Sequence, residues 1–248
     1  MGVEVLTHGR MTWVNIERPT PQDMETLRQH YPHFHPLDLE DCLSRIERPK
    51  IDEYDDYLFI IMQFPVFDGS SRISRPGEVD IFIGKGYLVT VHDGDLWPIA
   101  GLFDDCQSDE GTRERHMGRG AGRLLHDVID RLVDYCFPIL HKVDANIREI
   151  EEDIFTEQVP GVVRELSWVR RDIITLQRIV KPQIAILANL QQEDRPFIRE
   201  DLDVYFDDVL DHLRKAWDML EDHRDVIEGL DDTANTLTSK RLGEVMKI

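Results

Sequence analysis

Residues 201–237 read DLDVYFDDVLDHLRKAWDMLEDHRDVIEGLDDTANTL and contain no proline. Apolar residues recur at Leu202, Phe206, Val209, Leu213, Trp217, Leu220, Ile227, Leu230, Ala234 and Leu237. Those steps of three, four or seven lie close to a heptad seam. The spacing predicts one continuous helix from about Asp201 to near Ile248. About 46 residues at this rise make a rod of roughly 69 Å, twice the width of a small domain. Part of it must protrude or pack against copies of itself. From Glu200 to Asp232 there are thirteen acids and three bases, a net of −10 out of −20 for the whole chain. A charge run of this kind is ordinarily a solvated helix face. Like charges this dense nevertheless cost stability unless cations collect on them. The helical pattern reaches Ile248 with no Gly, Asn or Pro to stop it, so the natural polypeptide is expected to continue.

Upstream lie two more long helical patterns. One runs from Arg123 to Phe155, interrupted only by Pro138, and the other from Pro160 to Gln191, with Pro182 inside it. They are expected to form an αα-hairpin turning near Thr156 to Pro160. Residues 1 to about 110 have a different character. Met11 to Glu17 alternates apolar and polar residues, as a half-buried strand does. Thr20, Pro21 and Asp23 form a helix start with a capping-box-like pair, and the helix should run to about Tyr31. A short helix begins at His35-Pro36-Leu37. Tyr57 to Phe67 (YLFIIMQFPVF) suits a strand covered on both faces. Val79–Phe82 and Tyr87–Val91 flank Gly84-Lys85-Gly86, a hairpin signal. The reading is an α/β (α+β) chain in three parts. Residues 1–122 form an α/β layer, 123–200 an acidic helical hairpin, and 201–248 a long stalk helix.

Composition narrows the function. Lys plus Arg is 29 against 49 Asp plus Glu in 248 residues. That disfavours nucleic acid and anionic membrane surfaces, which need clustered bases, and favours cations. The three cysteines, Cys42, Cys106 and Cys136, lie far apart and suit a reducing compartment. No stretch is apolar enough to span a bilayer, and the first residues lack a secretory signal. Gly118-Arg119-Gly120-Ala121-Gly122 lacks the lysine of a phosphate loop. His30, His33 and His35 look like a ligand cluster, but packing or surface roles fit them better. No catalytic constellation can be read, and no enzyme activity is expected.

One stretch is more specific. His35-Pro36-Leu37-Asp38-Leu39-Glu40-Asp41, then Arg48-Pro49-Lys50, then Tyr54-Asp55-Asp56-Tyr57-Leu58-Phe59, closely resembles the cytosolic domain of the CorA family of divalent-cation channels. Matches continue in family order at residues 12–16, 124–130, 205–212 and 235–247. The resemblance implies a homopentamer built from an α/β/α sandwich, a pair of acidic "willow" helices and a stalk helix leading into the membrane. The family's two membrane helices and Gly-Met-Asn signature are not in these residues. The chain is therefore expected to be the cytoplasm-facing domain of an inner-membrane Mg²⁺ channel, which in this family often also passes Co²⁺ or Ni²⁺.

The resemblance also implies site residues. Asp41 would face Asp208 of the adjacent subunit across a regulatory Mg²⁺ site, with Glu40 and Asp130 at a nearby second position. Asp232 matches an acidic ring near the inner pore mouth and Met246 a pore-neck residue. Gly243 departs from the family's pore-lining Asn. Bound Mg²⁺ would act as negative feedback on the pore. The alternatives are a zinc-transporting relative with the same fold and a cytosolic coiled-coil scaffold. Elementary electrostatics supports a weak intersubunit site. Two carboxylates about 6 Å apart repel by roughly 3 kcal/mol at an effective dielectric near 20, and a divalent ion reverses that sign. Mg²⁺ needs only one or two carboxylates because it keeps most of its water.

Overall fold

The structure, a computed structural model, describes residues 2–44, 46–155, 159–192 and 203–245. Its strands are β1 (Val3–His8), β2 (Met11–Glu17), β3 (Lys50–Glu53), β4 (Tyr57–Asp68), β5 (Ile73–Gly84) and β6 (Tyr87–His92). They form one mixed sheet in the order β1-β2-β6-β5-β4-β3. Every neighbouring pair is antiparallel except β2 and β6, which run parallel. The β5–β6 hairpin turns at Gly86, whose φ of +84° favours glycine.

Strand alternation divides the core in two. Trp13, Leu58, Ile60, Met62, Ile81, Ile83 and Leu88 point to one face, where they join a large apolar core. Val14, Ile16, Tyr57, Phe59, Ile61, Phe82 and Val89 point to the other, a smaller core. The expectation that residues 57–67 are covered on both faces is met from Tyr57 to Pro65, all buried, while Val66 and Phe67 are partly buried.

The smaller core is closed by α1 (Pro21–His30) and α2 (Pro36–Asp41), through Met24, Leu27, Phe34 and Leu39. The sequence signals for both are confirmed. The Thr20 side chain accepts from Asp23 N, and Asp23 reciprocates at the Thr20 backbone. The His35 side chain accepts from Leu37 N at the start of α2.

The larger core is covered by α3 (Trp97–Ser108), α4 (Glu110–Met117), α5 (Ala121–Asp153), α6 (Val159–Gln192) and α7 (Asp203–Val245). It is unbroken from Trp13 and Leu58 on the sheet to Ala234 on α7, so it passes through the segment boundaries expected at residues 122 and 200. Two α6 side chains also reach sheet backbone. The Gln63 N–H donates to Gln183 Oε1 at 3.2 Å, and the Ser74 N–H to Asp172 Oδ1 at 2.5 Å. α7 is one uninterrupted helix, about 64 Å long at the standard rise. Phe206, Val209, Leu213, Leu220, Ile227 and Ala234 of the expected seam are buried, and Trp217, Leu230 and Leu237 are partly buried. The seam is used inside the chain, against α6 and α5.

Candidate metal centre at the α5–α7 seam

Helices α5 and α7 pack together, and Ile129, Leu132, Val133 and Cys136 of α5 share one apolar core with Phe206, Val209 and Leu213 of α7. At the margin of this apolar strip stand Asp130 and Asp134, one helical turn apart on α5, and His212 on α7. Their ligand atoms all lie within 4.8 Å of one another. Asp134 Oδ1 is 3.9 Å from His212 Nδ1, too far for a hydrogen bond. His212 Nδ1 is buried and has no hydrogen-bond partner among the described residues. Burial, followed by the charge of Asp134, pushes the Asp130 carboxyl above the usual carboxylate range. Asp208 is exposed and sits one turn before His212, so it occupies the same face of α7. Two expected residues, Asp130 and Asp208, are thus placed along one helix seam.

The chemistry of this donor set suits a divalent cation. Carboxylates plus retained water suit Mg²⁺, while the imidazole nitrogen adds affinity for Co²⁺, Ni²⁺ or Zn²⁺. Asp134 and His212 were not among the residues singled out in the sequence. The signal for them is the four-residue spacing of Asp130–Asp134 and Asp208–His212, two ladders that the fold brings side by side.

Asp127, one turn before Asp130, has a different fate. It is 6% exposed. Its Oδ2 lies 2.6 Å from His116 Nδ1, its Oδ1 2.9 Å from His126 Nδ1, and Arg123 Nε is 3.0 Å from Oδ1. Burial alone would push this carboxyl up; the hydrogen bonds from His126 and His116 and the charge of Arg123 outweigh it and hold the group low. The Arg123 guanidinium also stacks over Tyr205 of α7, 4.9 Å from the ring centre.

The acids of α2 lie across the sheet. Asp38 is 1% exposed and accepts hydrogen bonds from Tyr57 Oη at 2.8 Å and Tyr54 Oη at 3.1 Å. Glu40 is exposed. Asp41 is half-buried, with Lys50 Nζ 2.8 Å from its Oδ2; the same ammonium lies 2.6 Å from Asp52 Oδ2. Burial would lower the Lys50 pKa, but its bonds to Asp41 and Asp52 outweigh this and raise it. α2 packs on the smaller core and the α5–α7 seam on the larger, so the sheet separates Glu40 and Asp41 from Asp130 and Asp208 within one chain. Asp232 is exposed on α7, Gly243 lies within α7, and Met246 lies outside the described residues.

The three histidines near α1 do not converge on one point. His30 Nδ1 meets Thr26 O, His33 Nε2 meets the Tyr87 hydroxyl, and His35 caps α2. Among the described residues no helix is long and apolar enough to cross a membrane.

Comparison with known proteins identifies the family and the fold. The putative metal ion transporter YfjQ of Bacillus subtilis (strain 168) is 29% identical over 245 residues, spanning 98% of this chain and 74% of that protein. The cobalt/magnesium transport protein CorA of Thermotoga maritima is 29% identical over 244 residues, 96% of this chain and 67% of that protein. The zinc transport protein ZntB of Yersinia pestis is 22% identical over 189 residues, 76% of this chain and 55% of that protein. Among solved structures, the soluble domain of CorA from Methanocaldococcus jannaschii has the same fold. Its TM-score is 0.82 at 20% identity, covering 92% of this chain and 89% of that one. The model of the CorA-like Mg²⁺ transporter protein family matches residues 8–248, nearly the whole of the sheet, its helical cover and the long helix, and the chain belongs to that family.

Proposed function

We propose that this chain is the cytosolic regulatory domain of a homopentameric Mg²⁺ channel, which also admits Co²⁺ or Ni²⁺, in an inner membrane. In this reading Mg²⁺ binds between neighbouring copies, bridging Asp41 of one to Asp208 of the next, with Glu40 and Asp130 beside them. Asp232 and Met246 belong to the path toward the pore. One observation carries the reading: a single chain holds Asp41 and Asp208 on opposite sides of its sheet, so one ion can join them only across copies. About 1 kcal/mol of differential binding at each of five interfaces shifts a closed–open balance by roughly three to four powers of ten. That makes a weak site an effective sensor of an abundant ion, whose binding closes the pore.

The test is association of the 248-residue chain with and without about 10 mM Mg²⁺ at matched ionic strength, which controls for screening. Sedimentation should shift to larger species with Mg²⁺. Asp41→Asn and Asp208→Asn should each remove the shift, and the double variant should add little, because either change disables the shared site. Identical distributions with and without Mg²⁺ would count against the reading. In the full-length channel, the same substitutions should weaken Mg²⁺ inhibition while flux persists.

A second reading, transport of zinc by a relative of the same fold, is favoured by one feature. His212 points an unpartnered nitrogen toward two carboxylates. Zn²⁺ flux through the full-length protein, unaffected by Mg²⁺, would decide for it.

A further inference from the structure

A cavity of about 260 Å³ opens on the α2 side of the sheet, far from the α5–α7 seam. Its walls are the turn after α2, the strand residues Glu78 and Asp80, and the chain after β2 and β6. Glu78 and Asp80 are two residues apart on β5 and therefore point to the same face. Both are buried, at 8% and 4% exposure. Glu78 Oε2 accepts from the Glu47 N–H at 2.5 Å. Asp80 Oδ1 is buried and has no hydrogen-bond partner among the described residues.

Two adjacent buried carboxyls are costly when ionised, and the cost falls only when a cation or a proton joins them. Burial, and next the charge of Glu78, drives the Asp80 carboxyl far above its usual range. The basic side chain in the wall, Arg18, is more than half exposed and lies 3.5 Å from Glu17. His92 is not available as a ligand. Its Nε2 faces Asn15 Oδ1 at 3.2 Å and its Nδ1 accepts from the Gly94 N–H at 3.1 Å. The Cys42 thiol donates to Asp80, Gln63 Nε2 donates to Glu78 Oε2 at 3.5 Å, and Asp93 adds a third acid to the wall, around a space with room for several waters, since each water takes about 30 Å³.

We propose that this cavity is a second cation site, in which Asp80 and Glu78 hold a divalent ion that keeps most of its water. Mg²⁺ fits, because it dehydrates reluctantly and binds through one or two carboxylates. The site lies within one chain and needs no neighbouring copy, so it stands independently of the intersubunit reading.

Mn²⁺ is a suitable probe, because its free-ion paramagnetic resonance signal counts bound ions and Mg²⁺ displaces it. The 248-residue chain carrying Asp130→Asn and Asp208→Asn removes the seam site and should still bind Mn²⁺. Adding Asp80→Asn or Glu78→Gln should lower the bound count by about one ion per chain, with affinity falling roughly tenfold or more. Thermal unfolding separates a lost site from a lost fold. Asp80→Asn should raise Tm in metal-free buffer, because one of two adjacent buried carboxyls is gone, and should reduce the Mg²⁺-dependent rise in Tm. An Mn²⁺ count unchanged by both substitutions would overturn the proposal and leave Asp80 a buried neutral acid. So would a seam-deleted chain that binds no Mn²⁺.

Discussion

Helices α2 and α5 carry the same device on opposite sides of the sheet. Each bears two aspartates three residues apart, Asp38 and Asp41 on α2, Asp127 and Asp130 on α5. In both, the first is buried and fully engaged, by two tyrosines for Asp38 and by two histidines and an arginine for Asp127. The second stands at the margin. There the helices diverge. Asp41 already has a cation, the Lys50 ammonium, whereas Asp130 faces Asp134 and an unpartnered imidazole nitrogen. The difference teaches that position within a motif does not mark a functional carboxylate. What separates the two acids is the partner that the described chain supplies: Asp41 holds the Lys50 ammonium, and Asp130 stands beside Asp134 and His212.

The largest expected effect tests the buried member of the α5 pair. Asp127→Ala should destabilise the fold by about 3–5 kcal/mol in chemical denaturation, because it leaves Arg123 facing no carboxylate in a nearly closed site. The pH dependence has a definite sign. The folded pKa of Asp127 lies below its ordinary 3.8, so its contribution is present above that value and is lost as pH falls through the folded pKa. Wild type should lose this increment on acidification below about pH 4, and Asp127→Ala should have none to lose. Equal acid sensitivity in the two proteins would break the comparison by making Asp127 an idle buried acid.

Next in size is the marginal member. Asp130→Asn should weaken Co²⁺ binding to the chain by at least about tenfold in calorimetric titration. Its metal-free stability should hold or rise slightly, because burial already disfavours the ionised form. A large loss of stability would place Asp130 with Asp127 rather than opposite it.

The smallest effect sharpens the contrast between the two marginal acids. Lys50→Met removes the cation that Asp41 holds and should lower the Mg²⁺ concentration for half-maximal association about three- to tenfold. Its cost in stability should stay below about 1 kcal/mol, because the pair is partly exposed. If association is insensitive to Lys50 but lost in Asp41→Asn, the ion binds without displacing the lysine.

Much of the fold was legible along the chain. Helix α7 follows its apolar spacing closely, and the one seven-residue step, Leu220 to Ile227, is filled by the buried His223. The Thr20 cap and the Gly86 turn were legible because they use contacts a few residues apart. Four elements were not anticipated. β1 buries only Leu6 and β3 is four residues long, so as edge strands they show little alternation. α4 buries only Met117, and its start depends on Asp109 accepting from the Thr112 N–H at 2.7 Å. α3 hides its apolar stripe, Ile99, Leu102, Phe103 and Cys106, beside the paired acids Asp104 and Asp105.

The sequence by itself determined the class of elements, the long helix, the excess of acid that turns the molecule toward cations, and the family motif around Asp41. Periodicity, capping and net charge are local or additive properties, and they survive without knowledge of what touches what. The tertiary structure alone decided which acids are spent. Asp127 is engaged by His116, eleven residues away, and Asp41 by Lys50, while Asp130 meets His212 only because α7 folds back across α5. A carboxylate's availability depends on the nearest opposite charge in space, and the packing of helices on the two faces of the sheet sets that distance.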